Sequence, residues 1–146
     1  MDGKLFLGTA KFLINNGSDE AAYRSAASRA YYACFLVVRQ TAFQYCNKNV
    51  RIRDGIKTEK SVRHEPLTRY LKDSSNDSIR VLGEELASLL RTRQKADYVM
   101  DSSFEFDDAE DAVEKAGVLL KDIAQANPVD IGKSMENYIS KTCRVT

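Results

Sequence analysis

Hydrophobic side chains recur along this chain at steps of three and four residues, the spacing that places them on one face of an α-helix. A first series runs over residues 5–14 and ends near Gly17, a residue type that favours the C-terminus of a helix. A second begins after Asp19, whose side chain can cap a helix, and continues to about Cys46. Over residues 26–38 this second helix is apolar almost all round, which predicts burial on more than one face.

The middle of the chain has weaker patterns. Residues 47–58 are polar and include four basic side chains, which predicts a long loop. A shorter helix is predicted over residues 60–73, with either a kink at Pro66 or a start at that residue. Residues 72–78 are polar again and predict a second connection.

Two stronger helical series follow. Leucine and isoleucine side chains from Ile79 to Leu90 share one stripe and predict a fourth helix, and a fifth is predicted over residues 109–123. After Pro128 a short amphipathic helix is predicted as far as about Lys141. The sequence therefore predicts an all-α fold, an antiparallel bundle of four to five helices with a short C-terminal helix.

Composition narrows the classes of function. A chain of 146 residues with 43% hydrophobic and 29% charged residues suits one domain with its own core. The net charge of +1 means that any RNA contact must come from a local patch. One histidine and three widely separated cysteines predict free thiols and neither a metal nor another cofactor. No secretory signal or membrane-spanning run is visible, so we expect a cytoplasmic protein without a membrane partner.

The fourth helix carries the most informative polar residues. Steps of three and four from Leu86 and Leu90 lead to Arg93 and then to Asp97, so the apolar stripe ends in a charged pair one turn apart. Such a pair could be an ion pair that fixes helix register, which is the commoner role. It could also line a polar cleft that binds a phosphate or a ribose.

The second helix contains a similar exception, because Arg29 lies among alanines and tyrosines. A buried guanidinium needs a carboxylate partner or a path to solvent. Asp97 is the acid that most clearly interrupts an apolar stripe, so we predict that Arg29 and Asp97 meet across the helix interface. Arg93 would then point into the adjoining cleft, available for a phosphate.

The second helix also carries more apolar surface than a four-helix core needs. Tyr31, Phe35 and Val38 are predicted to lie around its far side. We therefore predict a two-fold homodimer, the commonest symmetry among soluble oligomers.

Two segments resemble motifs of one protein family. Ser25-Ala-Ala-Ser-Arg-Ala-Tyr-Tyr-Ala33 resembles the S-A-x-x-R-A-Y-Y-A segment of a bacterial and archaeal branch of the HEPN family. Arg93-Gln-Lys-Ala-Asp-Tyr98 resembles the R-x-x-A-D-Y segment of the same branch. His64 falls in the interhelical region where that branch often carries a histidine. The resemblance implies a helical bundle over residues 1–126 and leaves residues 127–146 as a C-terminal helical tail.

The resemblance further implies a bundle that dimerises. Many members are metal-independent ribonucleases of toxin–antitoxin, CRISPR or abortive-infection systems, with an arginine followed after four to six residues by a histidine. Others are paired with a small nucleotidyltransferase that acts as the antitoxin. Here Tyr98 stands where the shortest spacing from Arg93 would place the histidine, and Val99 and Met100 follow it. A phenol, with an ordinary pKa of about 10, is a poor general base at neutral pH.

Three functions are compatible with these residues. The first is an RNA- or nucleotide-binding, or partner-binding, subunit of a toxin–antitoxin or defence system that lacks the usual ribonuclease motif. The second is a metal-independent ribonuclease toxin with a non-standard site, and the third is a helical adaptor whose charges only specify packing.

The expected partners are a second copy of the chain, RNA and a nucleotidyltransferase protein. The candidate residues belong to two overlapping sets, one for catalysis and one for binding. The candidate catalytic residues are Arg93, Asp97, Tyr98 and His64, and the candidate RNA- or nucleotide-binding residues are Arg29, Tyr32, Arg91 and Arg93.

Overall fold

A computed structural model describes residues 3–142, and all regular structure within them is helical. The predicted all-α fold is confirmed. None of the helices in this range is both long and apolar enough to cross a bilayer. The range contains α1 (Gly3–Asn16), α2 (Glu20–Tyr45), α3 (Lys48–Arg53), α4 (His64–Lys72), α5 (Asp77–Tyr98), α6 (Phe106–Gln125) and α7 (Pro128–Thr142), with a 3-10 helix at Glu59–Ser61.

The described residues group into two compact units. The first unit lies within Met1–Val37 and Leu86–Lys121, and the second within Val38–Glu85 and Asp122–Thr146. The long helices α2, α5 and α6 therefore contribute residues to both units. The helix α1 belongs to the first unit alone, whereas α3, α4 and α7 belong to the second.

In the first unit, α1 and α2 pack closely and run in opposite directions. Gly3, at the start of α1, lies against the backbone of Ala33, and Gly17, just after α1, lies against Ala22 near the start of α2. A Cβ atom at either glycine would overlap its neighbour. Glycine at both ends therefore permits the close approach of these two helices.

The helix α6 runs in the same direction as α2. Near their first turns the rings of Tyr23 and Phe106 meet edge to face, with centroids 5.8 Å apart. About three turns further on, Cys34 Sγ donates a hydrogen bond to the carbonyl oxygen of Ala116 at 3.4 Å. Since α5 connects to α6 through a short loop, α5 runs opposite to both, in keeping with the predicted antiparallel bundle.

The apolar surplus predicted on α2 does not lie at the surface. Tyr31, Phe35 and Val38 are only 0%, 2% and 1% exposed, so this basis for a dimer was wrong. The reason is that α2 has neighbouring helices on several sides, and the stacked rings of Tyr31 and Phe35 belong to the core of the chain itself. The most exposed large apolar side chains of the first unit, at 64–69%, are Leu5, Phe12, Tyr98 and Met100.

In the second unit, α7 packs against α3 and α4. The same helix also approaches the last residue of α2, Tyr45. This contact requires glycine at position 132 of α7, because a Cβ atom there would overlap the backbone and the Cβ atom of Tyr45. Gly83 of α5 has the same role, since a Cβ atom there would lie 2.7 Å from both Leu71 Cβ and Lys72 N. Both glycines allow one helix to approach the next more closely than any other residue would.

The predicted loop over residues 47–58 contains α3, so this part of the prediction was wrong. The Asn47 side chain accepts hydrogen bonds from the backbone N–H groups two and three residues later, which caps the first turn. The helix ends at Arg53, shortly before Gly55, which has a left-handed φ of 83°. Six residues are too few for hydrophobic spacing to reveal a helix.

Pro66 lies in the first turn of α4. Its missing N–H therefore costs no intrahelical hydrogen bond, because the first four N–H groups of a helix have no partner within it. The helix begins at His64, later than the predicted start at residue 60, and Glu59–Ser61 forms the separate 3-10 helix.

Candidate functional site

Arg93 lies in the last turns of α5 and is the centre of a polar cluster in the first unit. Its Nε is 2.8 Å from Asp97 Oδ2, an ion pair between residues four apart on one helix. Its Nη2 donates a hydrogen bond to the Tyr32 hydroxyl at 3.0 Å, which links α5 to α2. The Arg93 side chain is 13% exposed.

Two tyrosine rings flank the Arg93 guanidinium. The guanidinium carbon lies 5.3 Å from the ring centroid of Tyr32 and 5.4 Å from that of Tyr98, both within the range of a cation–π interaction. The two rings differ in access, because Tyr32 is half-buried whereas Tyr98 is 69% exposed. The cluster therefore combines a held cation with one aromatic ring that solvent can reach.

Asp97 connects the cluster to α2. Besides its ion pair with Arg93, Asp97 Oδ2 accepts a hydrogen bond from Ser28 Oγ of α2 at 3.3 Å. One carboxylate oxygen thus joins α2 to the end of α5. Four of the predicted site residues, Tyr32, Arg93, Asp97 and Tyr98, lie together in this cluster, which we call the Arg93 cluster.

The predicted pairing of Arg29 with Asp97 was wrong. Arg29 is exposed, its guanidinium carbon lies 5.7 Å from the Phe6 ring, and Asp97 is paired with Arg93. Arg29 follows Ser25 at the four-residue spacing of one helix face, and that face of α2 is exposed at both positions. The apolar composition of α2 suggested burial all round, but one narrow stripe of the helix is exposed to solvent.

The remaining predicted site residues are Arg91 and His64. Arg91 is exposed on α5 and forms no ion pair with a residue in the described range. His64 is half-buried at the start of α4 and belongs to the second unit, so the geometry of the first unit does not include it. Their proposed roles remain predictions.

The sequence analysis missed Arg24 of α2, which is only 8% exposed. Its guanidinium lies at the C-terminal end of α5, where unpaired carbonyl groups and the negative end of the helix dipole favour a cation. It donates five hydrogen bonds of 2.6–3.1 Å. The acceptors are the carbonyl oxygens of Lys95, Ala96, Val99 and Ser102, and Glu20 Oε1.

A signal for Arg24 was present in the sequence. It precedes Ala27 and Tyr31 by three and seven residues, a spacing that places all three on one face, and both of those residues are buried. Glu20 stands one turn earlier, at the position from which an acid can pair with an arginine. The apolar run that begins at Ala26 drew attention to Arg29 instead.

Glu20 completes this second polar group. Its Oε1 accepts a hydrogen bond from the backbone N–H of Phe104 at 2.7 Å and another from Arg24 Nη2 at 3.1 Å. These two bonds, that from Phe104 first, hold the pKa of the Glu20 carboxyl below its usual value. Glu20 is therefore a carboxylate at neutral pH and can hold the Arg24 guanidinium in place.

The HEPN domain family model matches residues 2–126. The chain belongs to the HEPN domain family. No curated protein and no solved structure matches it. Within this HEPN domain, the Arg93 cluster holds an arginine, a carboxylate and two phenols. No group of three or more histidine, cysteine or acidic side chains suited to a metal ion lies within residues 3–142.

Proposed function

We propose that this HEPN protein binds RNA or a nucleotide through the Arg93 cluster, as a subunit of a toxin–antitoxin or defence system, without cleaving RNA. The observation that carries the proposal is the position of the Arg93 guanidinium between Tyr32 and the exposed Tyr98. An exposed aromatic ring beside a cation offers stacking for a base and charge for a phosphate.

The same residues argue against cleavage. Tyr98 stands where members with ribonuclease activity carry the histidine of their motif, as the resemblance described above implies. General acid–base transfer at neutral pH needs a group that gains and loses a proton near that pH, which a phenol does not do readily. Binding requires only the ring and the guanidinium, both of which are present.

Binding can be tested with a short fluorescein-labelled single-stranded RNA, with fluorescence anisotropy as the readout. Tyr98→Ala should weaken binding about tenfold, since loss of one stacked base typically costs about 1–3 kcal/mol. Arg93→Ala should weaken it at least as much. Arg53→Ala is the matched control, because it removes one positive charge at an exposed position of α3 and should have little effect. Equal losses in all three variants would indicate only non-specific attraction and would refute the proposed site.

A cleavage assay separates binding from catalysis. The wild-type protein should leave single-stranded RNA intact in the presence of EDTA, and its induced expression should not arrest bacterial growth. Tyr98→His restores the arginine–histidine spacing and should introduce cleavage that Arg93→Ala abolishes. Robust cleavage by the wild type that depends on Arg93 and His64 would favour the alternative, a ribonuclease toxin with a non-standard site.

The proposed assembly is a homodimer, with a nucleotidyltransferase as the candidate second partner. Its support is the exposure of Leu5 and Phe12, seven residues apart on α1, at 65% and 64%. That spacing places both on one helix face. Light scattering at micromolar concentration should give the mass of two chains for the wild type and of one chain for a Leu5→Ser, Phe12→Ser variant. A single-chain mass for the wild type would refute the dimer.

A further inference from the structure

The loop between α5 and α6 (residues 99–105) directly follows Tyr98. Its first two residues, Val99 and Met100, are 40% and 68% exposed, so their side chains provide little anchorage. Phe104, near its end, is buried at 2% exposure. The backbone between these two points needs hydrogen bonds from elsewhere in the chain if the loop is to keep one conformation.

Arg24 supplies those hydrogen bonds on both sides of Tyr98. Nη1 donates to carbonyl oxygens before Tyr98, at Lys95 and Ala96, and to that of Val99 directly after it, at 2.9–3.0 Å. Nη2 donates to the carbonyl oxygen of Ser102 at 2.6 Å. One planar guanidinium therefore fastens the last turn of α5 and the start of the loop to the same point of α2.

Glu20 and Phe104 hold that guanidinium in turn. Glu20 Oε1 binds Arg24 Nη2 and the backbone N–H of Phe104, so one carboxylate connects α2 with the far end of the loop. The Phe104 ring centroid lies 5.5 Å from the guanidinium carbon. Because Arg24 is 8% exposed and both of its Nη atoms donate hydrogen bonds, its orientation is well defined.

Tyr98 depends on its backbone for its position. Its ring contacts the Arg93 guanidinium, with 5.4 Å between the ring centroid and the guanidinium carbon. A ring that is 69% exposed is not held by surrounding side chains. The carbonyl groups that Arg24 binds therefore lie on both sides of Tyr98, along the backbone that carries its ring.

We infer that Arg24, oriented by Glu20, is a positioning residue that sets Tyr98 against Arg93 and so preorganises the Arg93 cluster for its ligand. This inference rests on the proposed function, because it concerns the same site. It predicts that loss of the guanidinium loosens the α5–α6 loop and weakens RNA binding through Tyr98, although Arg24 itself contacts no RNA.

The loop can be observed without RNA. The chain contains no tryptophan, so Met100→Trp creates a single reporter at an exposed loop position. In this background Arg24→Met should about double the amplitude of the fast component of the anisotropy decay, since loop motion extends to nanoseconds. Arg24→Lys retains the charge but not the planar fork of donors and should give a similar result. Arg53→Met, which alters an exposed arginine of α3, should leave the decay unchanged.

RNA binding gives the second readout. Arg24→Met should weaken binding about tenfold in the wild-type background, close to the loss from Tyr98→Ala. In a Tyr98→Ala background the same change should weaken RNA binding less than about twofold. If Arg24 acts through Tyr98, the effects of the two substitutions on binding are not additive. A purely structural role would give the same loss in both backgrounds.

Folding is checked by circular dichroism before either readout. If the Arg24 variants do not fold, Glu20→Gln replaces them, because that side chain is half exposed and its change removes only the charge that orients Arg24. An unchanged anisotropy decay in folded variants, or additive losses in the mutant cycle, would overturn the inference. If the wild type binds no RNA, the proposed function fails, and the decay alone still decides whether Arg24 positions the loop.

Discussion

Both units of this HEPN protein bring helices together at glycine, and they differ in the polar contacts that each adds. In the first unit, buried or nearly buried arginines bind carbonyl groups, carboxylates and tyrosines, as Arg24 and Arg93 do. In the second, Gly132 and Gly83 allow direct backbone contact, as Gly3 and Gly17 do in the first. The ion pairs of the second unit include Lys141 with Asp73, whose side chains are 67% and 40% exposed, and Arg39 with Glu59, at 17% and 38%. Glycine contacts are therefore common to both units, whereas Arg24, a buried arginine with five hydrogen bonds, lies in the unit that holds the candidate site.

The largest effect on stability is expected from Arg24→Ala. It removes five hydrogen bonds and should lower the free energy of unfolding by about 3 kcal/mol. This is the lower end of the cost of breaking a buried ion pair, because the Glu20 carboxylate that is left behind is half exposed to solvent. Urea unfolding followed by circular dichroism measures this change. Arg29→Ala, on the exposed face of the same helix, should cost less than about 0.5 kcal/mol. Similar losses in the free energy of unfolding for the two variants would mean that the buried contacts of Arg24 do not stabilise the protein.

The next largest effect on stability is expected from substitution of Gly132 in the second unit. Gly132→Ala places a Cβ atom against the Tyr45 backbone, which cannot move away easily, and should cost about 2 kcal/mol. Gly117→Ala is the matched control, because nothing lies within 4 Å of a Cβ atom there. That change in α6 should stabilise the protein by about 0.5–1 kcal/mol. If both variants were stabilised, the close approach of α7 to α2 would be refuted.

The first unit should also be the more sensitive to acid. The hydrogen bonds from Phe104 and Arg24 lower the pKa of Glu20 below its ordinary value of 4.5. A lowered pKa in the folded state stabilises the protein fully above the unfolded value and less as the pH falls through the folded value. Unfolding midpoints should therefore decrease below about pH 4.5, and less steeply for Glu20→Gln. Parallel curves for the two proteins would contradict this role of Glu20.

The smallest expected effect is on the reactivity of the Cys46 thiol in the second unit. Burial raises the pKa of Cys46 to about 11, with a further contribution from Glu136. Only about one thiol in a thousand is then ionised at pH 8, so Cys46 should react slowly with iodoacetamide. Mass spectrometry of a Cys143→Ser, Cys34→Ala variant, with and without urea, measures this rate. Rapid labelling of the folded protein would show that Cys46 is accessible.

The main helices could be predicted from the sequence because their causes are local. Apolar residues at steps of three and four identified α1, α2, α5 and α6, and Asp19 and Gly17 marked a start and an end. The short α3 could not be found in this way, since its Asn47 cap and left-handed Gly55 leave no hydrophobic period. The two segments that resemble HEPN motifs also lie in uninterrupted helices, residues 25–33 in α2 and residues 93–98 in α5.

The candidate site could be predicted only in part. The four-residue spacing of Arg93 and Asp97 correctly placed both on one face, but it did not show that they pair with each other. The composition of α2 predicted a buried arginine yet indicated the wrong one, Arg29 instead of Arg24. Helical spacing establishes which residues share a face, whereas the neighbouring helices determine which face is covered.

The sequence by itself determined the all-α fold, most helix limits and the HEPN family, because helix formation depends on residues within about four positions of one another. Only the tertiary structure decided that Arg24 is buried, that Asp97 binds Arg93, and that Tyr98 is exposed beside it. Four of the five acceptors of the Arg24 guanidinium are backbone carbonyl oxygens 71 to 78 residues away, from Lys95 to Ser102. A buried charge binds the acceptors that packing places beside it. Those acceptors can be far away along the chain, where local sequence patterns do not indicate them.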